Sequence, residues 1–201
     1  MSTDETLSQR YFDTVYADHD DPWRFASSEY EKAKYAATIA ALPKSRFGQA
    51  FEIGCSIGVL SAMLAPRCDS LLAVDISEAA LRLAGLRLAT QPHVALQKMA
   101  VPHEFPDGRF DLVMLSEVGY YWSSSDLGLA AERIVAAMRP GGALVLVHWT
   151  PVVADYPQTG DAVHAHFLRL SGDGLPLRHL SAERKATYRL DVFERATDEP
   201  P

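Results

Sequence analysis

An α/β fold built on a mainly parallel sheet follows from three features of the sequence. From Gln49 onward, short apolar runs alternate with longer amphipathic stretches, which is how strands and helices read when they take turns around one sheet. The small-residue turn Gly54-Cys55-Ser56-Ile57-Gly58 follows directly on the apolar run 49–53, where a buried strand would feed a helix. The run Phe110 to Leu115 is apolar enough to be a strand covered on both faces.

The elements follow in order. Strands are expected at 49–53, 70–74, 94–97, 110–115 and 143–148, with a sixth near Leu177 and a seventh, alternating and half-exposed, at 187–194. Helices are expected at 27–41, 58–66, 77–89 and 125–138. The first of these is capped by Ser27 or Ser28 and carries Glu29 and Glu31 in its first turn. Pro140-Gly141-Gly142 is read as the stop of the fourth. Between Thr150 and Gly174 several prolines and glycines surround a short helix at 161–170, an inserted cover.

At 201 residues the chain supports one sizeable core. The expectation is a single domain, with a helical lid segment at 1–45, a cofactor-binding core at 46–148, and a cover with the last strands at 149–201. Hydrophobic residues at 48% and charged residues at 22% exclude a disordered or fibrous class. No apolar run reaches the roughly 20 residues that span a bilayer. The acidic start Met1-Ser2-Thr3-Asp4-Glu5 lacks the basic flank of a secretory signal, so a cytoplasmic protein without a membrane partner is expected. A formal charge of −7 argues against nucleic acid and for a small neutral or cationic substrate. Cys55 and Cys68 have no paired or ligand-like spacing and are read as reduced thiols. No feature predicts an oligomeric state.

Gly54, Ser56 and Gly58 let backbone approach a ligand closely, at the point where a helix presents unpaired N–H groups. A dinucleotide fingerprint needs a third glycine to bring backbone onto a pyrophosphate, and this turn lacks it. Glu52 would also repel a pyrophosphate, whereas it suits a cofactor with an ammonium and a sulfonium. Asp75 ends the second strand 17 residues after Gly58, where a carboxylate accepts both hydroxyls of a ribose.

With these residues in that order, residues 50–148 resemble the class I methyltransferases. Their pattern is an acidic residue, x, Gly, x, x, x, Gly, then Asp or Glu at the end of the next strand. Phe105-Pro106-Asp107-Gly108-Arg109-Phe110-Asp111-Leu112-Val113 and Arg139-Pro140-Gly141-Gly142-Ala143-Leu144 are similar to the family's approaches to its fourth and fifth strands. The resemblance implies a Rossmann-like class I methyltransferase fold with a seven-stranded sheet, and S-adenosyl-L-methionine as cofactor, leaving as S-adenosyl-L-homocysteine. It implies cofactor contacts at Glu52, Gly54, Cys55, Gly58, Asp75, Ile76, Met99, Ala100, Val101 and Ser116. Met99 stands where the family usually has an Asp near the adenine amine, so Met99 would pack on the ring and the Ala100 backbone would serve the amine.

Groups following the fourth and fifth strands should line the acceptor side: Ser116, Glu117, Tyr120, Tyr121 and Trp122, then His148 and Trp149. Glu117 and His148 are the candidates for taking a proton from the acceptor or orienting it. Tyr120, Tyr121 and Trp149 can stack on a sugar face or a cation. His164 and His166 lie two apart on a helix and point to different faces, so no metal site is expected.

Asp20-Asp21-Pro22-Trp23-Arg24, ahead of Tyr30-Glu31-x-x-Lys34 and with Glu117-Val118-Gly119-Tyr120-Tyr121, also resembles the rhizobial nodulation methyltransferases of the NodS type. That resemblance implies N-methylation of the free amine of a deacetylated chitooligosaccharide. Trp23 and Arg24 would then fold over the cofactor, Arg24 pairing with its carboxylate and Trp23 joining the aromatic groups that hold the sugar. O-methylation of a small metabolite and a noncatalytic S-adenosylmethionine-binding domain remain as alternatives.

Overall fold

A computed structural model describes residues 4–197; residues 1–3, part of the acidic start, and 198–201 lie outside the described residues. Among the described residues seven strands form one sheet: β1 (Phe47–Ile53), β2 (Cys68–Asp75), β3 (Val94–Lys98), β4 (Phe110–Ser116), β5 (Met138–Trp149), β6 (Leu177–Arg184) and β7 (Tyr188–Arg195). Their order is β3-β2-β1-β4-β5-β7-β6. β1 to β5 pair in parallel, and β7 runs antiparallel to both β5 and β6. The expected seven-stranded, mainly parallel sheet is therefore present. From β1 the chain adds strands on one side, then crosses to β4 and adds them on the other. A crevice opens at such a reversal, at the carboxyl ends of β1 and β4.

Among the described residues six α-helices cover the sheet: α1 (Gln9–Asp18), α2 (Glu29–Ala40), α3 (Val59–Leu64), α4 (Glu78–Arg87), α5 (Ser124–Ala137) and α6 (Gly160–Leu168). Strand alternation divides the core between two faces. Leu144 and Leu146 of β5 pack with Leu115, with Ile134 of α5 and with Phe167 of α6. Val145 and Val147 join Met114, Leu64 of α3 and Tyr35 of α2 on the other face. Each such buried side chain contributes about 1.5–3 kcal/mol relative to exposure. Serine and threonine caps start four helices: Ser28, Ser77, Ser123 and Thr159 each accept a backbone N–H three residues on. Of the two serines expected before α2, Ser28 is the cap.

Two elements depart from expectation. Helix α1 carries no cap hydrogen bond and no acidic first turn, so nothing local announces it. It is held by tertiary packing, Phe12 meeting Tyr121 edge-on with ring centroids 5.0 Å apart. Pro140-Gly141-Gly142 does not stop α5, which ends at Ala137. Met138 is already extended and pairs with Phe110. The Pro-Gly-Gly lies inside β5, where the register with β4 shifts between Phe110 and Leu112. Proline and glycine serve a strand irregularity here as well as they would a helix end.

Both cysteines are buried and free. Among the described residues no helix is long and apolar enough to cross a membrane. Helix α6 seats directly on the end of β5, because a Cβ at Gly160 would lie 2.2 Å from the Trp149 carbonyl oxygen and 2.9 Å from the His148 Cβ. Gly160→Ala is expected to cost about 1–3 kcal/mol, the usual penalty for overpacking. Urea unfolding measures it, and an unchanged midpoint would show that α6 can lift off without cost.

Candidate cofactor and acceptor cavities

Beyond the end of β1 the chain makes a tight turn in which Gly54, Ser56 and Gly58 all have left-handed backbone, with φ of 76°, 51° and 77°. Gly54 and Cys55 both donate to the Val74 carbonyl, at 2.8 and 2.9 Å. A Cβ on Gly54 would sit 2.1 Å from a Val118 methyl carbon. Only glycine meets the backbone angle and the close approach together. Asp75 closes the turn from β2, accepting Ser56 N–H at 2.8 Å and Ser77 N–H at 2.9 Å on separate oxygens. Burial raises its carboxyl, and the N–H groups of Ser77, Ser56 and Ile76 pull the other way.

This turn floors a cavity of about 310 Å³. Glu52, Gly54, Cys55, Asp75, Ile76, Met99, Ala100, Val101 and Ser116 line it, so the geometry gathers the expected cofactor residues with two exceptions. Gly58 stands behind the turn as the N-cap of α3. Arg24 is exposed and outside the lining. Its left-handed φ of 60° belongs to a turn in which its N–H donates to Asp21 O and its carbonyl accepts Ser27 and Ser28 N–H. That turn presents Trp23 and Phe25 to the cavity instead, with their rings stacked at 5.5 Å. On the wall expected to meet the adenine, the Ala100 N–H is taken by Glu104 at 2.7 Å and the Met99 N–H by Asp75 O at 3.0 Å. The Ala100 carbonyl, the atom that could accept from an adenine amine, already accepts Glu104 N–H at 2.9 Å. Met99, Ile76 and Val101 remain as an apolar wall.

Glu52 is 2% exposed, and among the described residues its Oε2 has no hydrogen-bond partner. Burial, with help from Asp75, pushes its carboxyl up to about 7 against the pull of the Ser61 hydroxyl. A buried, unpartnered carboxylate oxygen on a cavity wall is costly unless a cationic ligand completes it. Sequence reasoning missed one wall, formed by Thr6 to Gln9 with Phe12 and Tyr16 of α1. Leu7 N–H donates to Tyr121 O at 2.9 Å, Ser123 N–H to Thr6 Oγ1 at 2.8 Å, and the Tyr16 and Ser56 hydroxyls pair at 2.5 Å.

A second cavity, of about 240 Å³, adjoins the first and shares Trp23, Phe25, Glu117 and Tyr121 with it. Tyr120, Trp149 and Tyr156 add aromatic walls, and Glu31 and Lys34 add charge. Glu117, in left-handed backbone at φ 59°, is the hub. Its Oε1 accepts from Lys34 at 2.5 Å, and its Oε2 from the Tyr120 hydroxyl at 2.6 Å and the Trp149 N–H at 2.8 Å. Lys34, 2% exposed, also donates to Glu31 at 3.0 Å. Burial alone would lower the Lys34 ammonium, but Glu117 and Glu31 raise it above the ordinary lysine value. Trp23, Glu117, Tyr120, Tyr121 and Trp149 therefore meet as expected.

His148 does not join them. It is 0% exposed and lines neither cavity. Its Nε2 accepts Gly119 N–H at 3.1 Å, its Nδ1 meets His164 Nε2 at 3.1 Å, and burial holds it well below its ordinary value. With both ring nitrogens engaged and no path to the acceptor side, it is not placed to take an acceptor's proton.

The family model for nodulation protein S (NodS) matches residues 11–153. The chain belongs to the NodS family. Nodulation protein S of Rhizobium tropici is 28% identical over 128 residues, covering 63% of this chain and 54% of the relative. The chain thus spans about half the length of that curated relative. The N-methyltransferase NodS from Bradyrhizobium japonicum WM9, solved with S-adenosyl-l-homocysteine, superposes with a TM-score of 0.81 at 21% identity, covering 97% of this chain and 99% of that one. A solved protein from Pseudomonas syringae is 38% identical with a TM-score of 0.73, covering 84% of this chain and 100% of that one. The NodS-family chain thus has the class I methyltransferase fold that its motifs implied.

Proposed function

We propose that this NodS-family chain is an S-adenosylmethionine-dependent methyltransferase acting on a small-molecule amine, with the free amine of a deacetylated chitooligosaccharide or related amino sugar as the favoured acceptor. The observation that carries the reading is the common wall. A cavity with a buried, unpartnered carboxylate and a ribose-ready Asp75 opens against an aromatic cavity centred on Glu117. Family membership supports it, as does an N-methyltransferase among the similar solved structures.

The residues fit the cofactor. Glu52 would take its ammonium, Asp75 its ribose hydroxyls, and Met99, Ile76 and Val101 its purine. Bound there, it supplies a methyl carbon made electrophilic by its sulfonium, and the carbon–sulfur electron pair stays with sulfur as the new bond forms. The chain's own task is alignment, bringing the acceptor atom to about 3–3.5 Å in line with that bond. A neutral amine attacks without losing a proton in the transition state, whereas a hydroxyl needs a base. Glu117 already accepts from three donors, which leaves room for about one more donor, such as an acceptor N–H. Trp149 and Tyr156, the latter stacked on Tyr120, offer apolar ring surface of the kind that packs on sugar rings.

The test incubates the protein with methyl-labelled S-adenosylmethionine and chitooligosaccharides that either carry a free non-reducing amine or are fully acetylated. Label is expected on the free amine and not on the acetylated control. Label on a carboxylate or phenol from an added metabolite pool would move the assignment to O-methylation. Cofactor binding with no transfer to any acceptor would favour a binding domain.

A further inference from the structure

The described residues contain a buried chain of titratable groups that methyl transfer does not call for. We propose that His148, His164 and Asp191 form a one-way hydrogen-bond chain that positions the acceptor loop by gripping the Gly119 peptide, which makes His148 a positioning residue. The proposal rests on the acceptor cavity assigned above.

The direction of the chain follows from donor logic. A peptide N–H can only donate, so His148 Nε2, 3.1 Å from Gly119 N, must present a lone pair. A neutral imidazole then carries its proton on Nδ1, which donates to His164 Nε2 at 3.1 Å. His164 must in turn carry its proton on Nδ1, which donates to Asp191 Oδ2 at 2.5 Å. Asp191 is anchored by Arg189 Nε at 2.6 Å on the same oxygen and by His179 Nε2 at 2.6 Å on the other. Neutral rings are also what burial favours: it lowers both His148 and His164 below the ordinary histidine value, in His164 against the pull of Asp191.

The chain is built from three elements, β5, α6 and β7, and ends on a loop that belongs to none of them. That loop carries Glu117 and Tyr120 into the acceptor cavity. Two consecutive residues of β5 hold it, Trp149 N–H on the Glu117 carboxylate and His148 on the Gly119 peptide. The fit at Gly119 is close, because a Cβ there would lie 2.6 Å from a Val163 methyl carbon and 3.0 Å from His148 Nε2. A histidine fixed in one tautomer suits this task. Its opposite tautomer would aim an N–H at the Gly119 N–H and release the loop.

The first test needs no variant. Long-range proton–nitrogen NMR of the full chain at neutral pH is expected to show both His148 and His164 as neutral Nδ1–H tautomers. An Nε2–H tautomer or an imidazolium at His148 overturns the proposal. The second uses two isosteres. In His148→Gln the amide oxygen can stand near the former Nε2 and keep an acceptor for Gly119. In His148→Asn the amide stands near Nδ1 and leaves Gly119 unpaired. His148→Asn is expected to raise the KM for the free-amine chitooligosaccharide about 10-fold, the scale of one unsatisfied buried donor. Cofactor Kd should change far less than KM, kcat should fall far less than KM rises, and His148→Gln should recover most of the loss. An equal fall in kcat for both variants, with KM unmoved, would mark a proton-transfer role and reject positioning. If no acceptor turns over, the amine reading falls by itself. The grip is then read by amide exchange at Gly119, faster in His148→Asn than in His148→Gln; equal rates reject it.

Discussion

Replacing Asp75 by Ala is expected to weaken S-adenosylmethionine binding about 100-fold while leaving the protein folded. Two losses combine. The ribose loses a charged acceptor, worth about 1.5–3 kcal/mol for a hydrogen bond to an ionised group. The N–H groups of Ser56 and Ser77 also lose the carboxylate that ties the turn to the end of β2. Stability should suffer less than affinity, because the carboxylate itself is disfavoured by burial. Asp75→Asn keeps an oxygen acceptor without the charge and should fall between the two. Calorimetric titration of the folded variant with S-adenosylmethionine decides the matter, and undiminished affinity would sink the ribose assignment.

Glu52 gives the second large effect, and it depends on pH. Its carboxyl ionises at about 7 in the folded chain against about 4.5 ordinarily, so folding holds the proton more tightly than the unfolded chain does. The associated stability is fully present below about pH 4.5 and is lost as pH rises through about 7. At pH 8, Glu52→Gln is expected to be more stable than the parent by at most about 3 kcal/mol, and the two should converge below pH 4.5. Urea midpoints across that range measure it. A cofactor ammonium beside Oε2 favours the ionised form, so affinity for S-adenosylmethionine should strengthen several-fold between pH 5.5 and 7.5, with proton release, and Glu52→Gln should lose that trend. Calorimetry in buffers of different ionisation enthalpy reads the proton directly. A flat affinity profile in the parent would separate Glu52 from the ammonium.

Gly54, Gly58 and Asp75 were legible in the sequence because each answers a constraint within one strand-turn-helix unit. Two of them need left-handed backbone, and the third needs the end of the next strand. The sheet was legible for a similar reason, since alternation within each run sets which residues face inward. Pro140-Gly141-Gly142 misled because a helix stop and a strand irregularity use the same residue types. Arg24 misled because the direction of an exposed cation is set by the turn beneath it, which here faces Trp23 and Phe25 inward. His148 could not be placed because its partners, His164 and Gly119, lie 16 and 29 residues away on segments that meet it only in the folded chain. A separation of 83 residues likewise hid the union of Lys34 with Glu117, although both stood in motifs that sequence reading singled out.

The grip on the acceptor loop also straddles the edge of the family match. Glu117, Gly119 and His148 fall inside the segment 11–153 that matches the NodS family, whereas His164 and Asp191 fall beyond it. Thr6 to Gln9, which wall the first cavity, fall before it. Substitutions at His164 or Asp191 would therefore act on the acceptor loop from behind, from outside the matched segment, without touching any group that lines either cavity.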